Sequence, residues 1–212
     1  SQDIDEYLEA QFEIVRQYYA ESSWSGLDIT FTVMDKAEMM SSDYSCAELD
    51  ADPFGQLSEM QAAAAALGYD AGYDTHWVIV PYCAALPWSG LGAVGADGNW
   101  LNTGGDYHWN DAATMAHEIG HNYGANHASD GMIEYGNIYS VMGAADLPEG
   151  QFLTVGKEVF DWVGEGQIAH AVAPADAALC VAASCAVGGG TFTLQATDTG
   201  TLDPNRFVAL RI

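Results

Sequence analysis

The 212-residue chain reads as a mixed α/β (α+β) domain with a small β-rich extension at its C-terminal end. Three observations predict this. Helical apolar patterns alternate with short strand patterns along most of the chain, the order expected of a sheet packed with helices. The strand patterns are β-branched or glycine-rich and bounded by turn signals. Beyond residue 168 the texture changes to Ala/Gly/Cys-rich sequence followed by further strand patterns. The expected division is a main domain over 1–168 and a β-rich extension over 169–212. Apolar residues make up 49% of the chain, enough for a sizeable core and against disorder by composition.

The elements follow in order. Ile4, Tyr7, Leu8, Phe12, Val15, Tyr18 and Tyr19 recur at helical spacing, predicting an amphipathic helix over about 3–20. LDITFTVMD (27–35) alternates apolar and polar residues and predicts a strand. Residues 41–55 are rich in Ser, Asp and Pro and read as a loop. GQLSEMQAAAAALG (55–68) has high helix propensity and stops at Gly68. THWVIVPYC (75–83) is a nearly continuous apolar run that suits a strand buried on both faces. GLGAVG (90–95) reads as a glycine-rich strand, Asp97-Gly98 as a turn, and NWLNTG (99–104) as the returning strand. Asn110 or Asp111 caps a helix over 111–124 whose Ala112, Met115, Ala116 and Ile119 form an apolar face. A long aperiodic segment over about 125–151 follows, of the kind that is functional or flexible. TVGKEVFDWVG (154–164) predicts a helix with Val155, Val159, Phe160 and Val163 inward. TFTLQA (191–196) and RFVALRI (206–212) are strand patterns within the extension.

Charge narrows the function. Thirty acidic residues against five Lys and Arg give a formal net charge of −25. Nucleic-acid binding is disfavoured, because phosphates would be repelled and few cations exist to displace counterions. No apolar run reaches the roughly 18 residues of a membrane span, and a monomer is expected. The spread of acids fits a solvated surface, with steering of cationic substrates as the lesser reading. Cys46, Cys83, Cys180 and Cys185 contain no CxxC pair and allow two disulfides. On locality alone, Cys46 with Cys83 and Cys180 with Cys185 are expected, which implies an oxidising compartment. Four buried thiols remain the alternative.

The chemistry concentrates in HEIGHNYGANH (117–127). His117 and His121 stand four apart on the expected helix, so both rings leave one face. That spacing suits one zinc ion held through neutral imidazoles. Glu118, adjacent in sequence, lies beside such a metal and can take a proton from water that the metal activates. Gly124 can adopt positive φ and turn the chain, so that His127 supplies a third ligand. Three histidines leave one zinc position open, the pattern of a catalytic site. A helix-end histidine cluster could instead cap carbonyls and complement the helix dipole. Five fixed positions argue against it: at roughly 2% His and 7% Gly usage, chance occurrence is on the order of one in 10⁴–10⁵. His76, His108 and His170 lack partners at ligand spacing and read as ordinary surface or core histidines.

H-E-x-x-H-x-x-G-x-x-H is the motif of the metzincin zinc peptidases, which carry a methionine turn downstream. NIYSVMG (137–143) supplies that turn, with Met142 as a hydrophobic floor beneath the histidines and no ligand; Met132 lies too close behind His127. HEIGHNYGANHA together with YGNIYSVMG most resembles the gametolysin-like peptidases, densely over 75–165 and thinly elsewhere. Residues 154–164 are also similar to the segment that follows the turn in that family. The resemblance implies a metzincin-like zincin fold, with a twisted mixed sheet and an active-site helix. It also implies a substrate-holding edge strand at Gly90, Leu91, Gly92, Ala93, Val94 and Gly95. Ala128 replaces the Asp typical of adamalysins after the third histidine. Ala144 stands where astacins and serralysins carry a metal-associated Tyr, so that role is not transferred.

The implied activity is a secreted, extracellular zinc endopeptidase acting on protein or peptide substrates. One Zn²⁺ is the expected cofactor; no calcium-loop spacing indicates Ca²⁺. Two other readings stay open. One is a narrow peptidase of cell-wall or mucin-like glycoproteins. The other is a non-catalytic zinc-containing binding module, against which the intact Glu118 argues.

Overall fold

The computed structural model describes residues 4–33, 42–69, 76–103, 111–144, 147, 150–172, 178, 185–187, 194, 203, 206 and 208–211. The chain forms α1 (Ile4–Ser22), α2 (Cys46–Ala51), α3 (Pro53–Ala66), β1 (Val78–Ile79), β2 (Gly90–Gly92), β3 (Asn99–Leu101), α4 (Asp111–Asn122) and α5 (Thr154–Val159). A short 3₁₀ turn (Glu165–Gln167) then leads into β4 (Ile168–Val172), followed by β5 (Cys185–Val187) and β6 (Ala209–Arg211). The described strands make two small sheets. In the first, β3 is central, parallel to β1 and antiparallel to β2. In the second, β4 is central and parallel to both β5 and β6. Among the described residues, no helix is long and apolar enough to cross a membrane.

The largest apolar cluster sits where α1 crosses α4. Val15, Tyr18 and Tyr19 meet Ala112, Met115, Ala116 and Ile119, so the face expected of α4 is the buried one. Val141, Met142 and Phe152 close this cluster from the C-terminal side. The fully buried Tyr19 hydroxyl donates to Ala116 O at 2.8 Å, which satisfies the one polar atom it brings into the core. A second cluster lies between the first sheet and α2–α3, built on Leu49, Leu57, Leu86 and Trp100. The Cys46–Cys83 disulfide crosses it with 5.6 Å between Cα atoms. Cys185 is also disulfide-bonded; Cys180, its expected partner, lies outside the described residues, as do Asn110, His108 and most of 191–196.

Several expectations need correction. Met34 and Asp35 lie outside the described residues, and residues 27–33 form no strand, although Leu27, Ile29 and Phe31 do pack against the core. Their alternation is used by side-chain packing, with Phe31 stacked on Phe12 at 4.5 Å, rather than by a hydrogen-bond ladder. The segment read as a loop over 41–55 contains α2. Its signal was present: Ser45 accepts from Glu48 N while Glu48 accepts from Ser45 N, a reciprocal cap. Of the run 75–83, only Val78–Ile79 forms a strand among the described residues; both are half-buried and Tyr82 is 78% exposed, so the run is not buried on both faces. The strand expected over 90–95 ends at Gly92, because Ala93 N–H donates to Gly98 O and begins the hairpin turn.

The helix expected over 154–164 stops at Val159. Of the residues expected inward, Phe160 packs against the main cluster and Val163 is buried with Ile168 and Val208, whereas Val155 and Val159 are 71% and 50% exposed. Lys157 is buried instead, with its ammonium 4.3 Å from the centre of the Trp24 ring.

Candidate metal centre

α4 begins under α1, where Ala112 N–H donates to Gln11 Oε1 at 3.2 Å. This satisfies one of the free donors at a helix start. With Ala112, Met115, Ala116 and Ile119 turned to the core, the helical period sends His117 and His121 to a neighbouring face. The helix ends at Asn122, and two residues on Gly124 has a φ of +100° that would strain any other residue. Gly124 N–H donates to His121 O and Ala125 N–H to Gly120 O, so the chain turns back toward the helix face.

That turn brings His127 to the first two histidines. Ring centres are 4.7 Å apart for His117–His121, 4.8 Å for His121–His127 and 5.3 Å for His117–His127. One potential ligand atom from each ring lies within 4.8 Å of the others. Each Nδ1–H is already committed: His117 to Val141 O, His121 to Ala125 O and His127 to Glu134 Oε1, all at 2.7 Å. The Nε2 lone pairs are therefore the ones left to ligate, the usual arrangement around a metal. Burial, the two neighbouring rings and their charge push the His117 pKa down to about 4, against the Val141 carbonyl. His121 is shifted the same way, chiefly by burial. Neutral imidazoles are the ligating form, so the donor set fits one borderline cation such as zinc.

Glu118 is 7% exposed and faces β2. Two glycines make room for it. A Cβ at Gly90 would overlap the Glu118 carboxylate and lie 2.6 Å from the Thr114 methyl. A Cβ at Gly92 would lie 2.6 Å from the Glu118 carbonyl oxygen. Edge strand and helix are in direct contact, and only a residue without a side chain allows it. Gly90→Val is expected to cost about 1–3 kcal/mol through overpacking and to push the Glu118 carboxylate out of place. Thermal unfolding measured beside turnover checks this; a variant matching the wild type in both would contradict the contact.

Burial holds the Glu118 pKa up, at about 8. The consequence for the metal-free protein has a definite sign. Glu118 ordinarily titrates at 4.5, so its folded form holds an extra proton between 4.5 and about 8 and stability is lost as pH rises through that window. His117 ordinarily titrates at 6.5, so its lowered value makes stability rise with pH between about 4 and 6.5. His117 and His121 both oppose Glu118 below pH 6.5, and of the three only Glu118 acts above it. Metal-stripped protein should therefore lose thermal stability from about pH 6.5 to 8. Glu118→Gln should remove that decline, and an unchanged decline would assign it to other groups.

Met142 is buried beneath the helix, and its Sδ would lie 2.6 Å from a Cβ at Gly120. Gly120 thus admits the sulfur against the helix backbone. Met142 O accepts from Ala128 N at 2.7 Å, pinning the turn to the segment after His127. Met132 is fully exposed and takes no such place. Two residues gain a role that the sequence reading did not give them. Gly120 was a glycine inside a helix, a signal of close approach. Asn122 is buried, donates to Ala93 O and Gly98 O at 3.0 and 3.2 Å, and accepts from Asn99 Nδ2, fastening the β2–β3 hairpin to the helix end. His76 and His170 stand apart from the cluster, near Asp97 and Glu165 respectively.

Residues 14–211 match the family model described as gametolysin peptidase M11. The chain belongs to that family. The match covers nearly the whole length of this M11 peptidase. Family membership makes the chain a metallopeptidase hydrolase, and its histidine cluster could bind the metal. No curated protein matches the M11 chain.

Proposed function

We propose that this M11 peptidase is a secreted, monomeric zinc endopeptidase of metzincin type that cleaves internal peptide bonds of protein substrates. The observation that carries the reading is the convergence of three histidines, each with its Nδ1 already bonded, beside a buried carboxylate on the same helix. His117, His121 and His127 would hold the metal through Nε2. When bound there, zinc supplies Lewis acidity, bringing the pKa of a water molecule toward about 7 and polarising the scissile carbonyl.

Glu118 receives the proton of the attacking water and returns it to the leaving amine. Its low exposure keeps solvent from competing for that proton. A nearby dication would favour its ionised form, reversing the upward shift that burial alone imposes. β2 is the outer strand of its sheet among the described residues. A substrate lying antiparallel to it would bond through main-chain groups as an added strand. The Gly90–Gly92 glycines let that strand lie against Glu118, so binding and proton transfer share one contact. Met142 supports the ligands from below without ligating. Residues 143–152 would help wall the side-chain pocket beyond the cut, and 169–212 would act as a packed annex.

The Cys46–Cys83 disulfide supports an extracellular setting. A cleavage-site profile against a peptide library, with Glu118→Gln as control, tests the activity. Internal cuts lost in the variant are expected. Zinc binding without any cuts in peptides or proteins would favour a binding module, and cuts confined to glycopeptides would favour a narrow glycoprotein peptidase.

A further inference from the structure

We propose that Glu134 and Tyr135 are positioning residues that clasp His127 and set how tightly the metal centre holds its ion. This rests on reading His127 as a ligand. The three histidines are supported unequally. His117 and His121 stand on α4 and donate to main-chain carbonyls, which no substitution removes. His127 lies beyond the helix in a segment without regular structure, and its side chain is 25% exposed. Its Nδ1–H donates to a side chain, the Glu134 carboxylate, at 2.7 Å. A carboxylate in that position fixes the ring, fixes the tautomer and makes Nε2 a stronger donor to a metal.

Tyr135 closes the other side. Its ring centre is 3.8 Å from that of His127 at 36° and 5.8 Å from that of His117 at 26°. Its φ is +59°, the left-handed region that bulky residues rarely adopt. Such a conformation persists where the surroundings over-determine it. Here they do. Asp130 and Ile133 exchange two main-chain hydrogen bonds at 3.1 and 3.0 Å, Gly136 N–H donates to Ile133 O, and Asn137 N–H donates to Ala128 O. This tight turn carries consecutive side chains, one to the edge of the imidazole and one to its face. The off-helix ligand thereby acquires the rigidity that α4 gives the other two.

The test compares zinc affinity, by competition with a chromophoric chelator, in wild type, Glu134→Ala, Glu134→Gln, Tyr135→Phe and Tyr135→Asn, with the melting temperature of each metal-free protein as a folding check. Removing an outer-shell partner lowers metal affinity by about 10–100-fold. Glu134→Ala should fall near the lower end, because Glu134 is 70% exposed and screened by solvent. Glu134→Gln, which keeps an acceptor oxygen without its charge, should fall between Ala and wild type. Tyr135→Asn tolerates the left-handed backbone but has no ring; it should fold as well as wild type and hold zinc more weakly. Tyr135→Phe, which keeps the ring against His127, should hold zinc as tightly as wild type.

Wild-type affinity in both Glu134→Ala and Tyr135→Asn would overturn the clasp. So would a Tyr135→Phe protein that holds zinc as weakly as Tyr135→Asn, since the hydroxyl rather than the ring would then be what matters. A wild type that does not bind zinc would instead overturn the metal centre itself, and the clasp with it.

Discussion

Glu118→Gln is expected to retain its metal and lose hydrolysis by about 10²–10⁴-fold, the usual contribution of a positioned general base. The two side chains have nearly the same shape, so the packing against Gly90, Gly92 and Thr114 should survive. What disappears is the ability to accept a proton. The variant should also be no less stable at neutral pH, because the ionised carboxylate it replaces is disfavoured by burial. Metal content and turnover measured on one preparation check both halves. Full activity would remove Glu118 from the mechanism; loss of metal along with activity would make it a structural support of the centre.

His121→Ala is expected to have the second large effect, on metal retention. His121 is 6% exposed and its ring is fixed by Ala125 O at 2.7 Å, so little beyond its Nε2 faces the cluster. Taking away one of three ligands should weaken binding beyond the roughly 10–100-fold that outer-shell changes produce. Binding to the folded state alone stabilises it by about 2.7 kcal/mol at one hundred times Kd. Added zinc should accordingly raise the melting temperature of the wild type and leave that of the variant unchanged. An equal rise in both would mean that His121 does not ligate.

How far the sequence could be read depends on the range of the interactions involved. The metal motif was legible because a helix places i and i+4 side chains together by local geometry alone, and Gly124 marks where that geometry ends. The buried face of α4 followed from the same period. The burial of Met142 against α4 was suggested only alongside the histidines, and it uses the space that Gly120 leaves. Segments 27–33 and 154–164 misled for one reason: an apolar alternation says which side chains want burial, not which partner provides it. For Phe31 that partner was the Phe12 ring, and in 154–164 Phe160 and Val163 found partners where Val155 and Val159 did not. Asn122 and the Glu134–Tyr135 pair act across the folded chain or in an irregular turn, where no period announces them.

The central claim is that three histidines and one buried carboxylate make a zinc-dependent peptidase. Its most direct test is a single titration on the purified protein: zinc content, hydrolysis of an unfolded protein substrate, removal of the metal by a chelator, and readdition. The account predicts about one zinc per chain, hydrolysis abolished when the metal is removed, and recovery when zinc returns. Hydrolysis that persists in protein proven free of transition metal would contradict it.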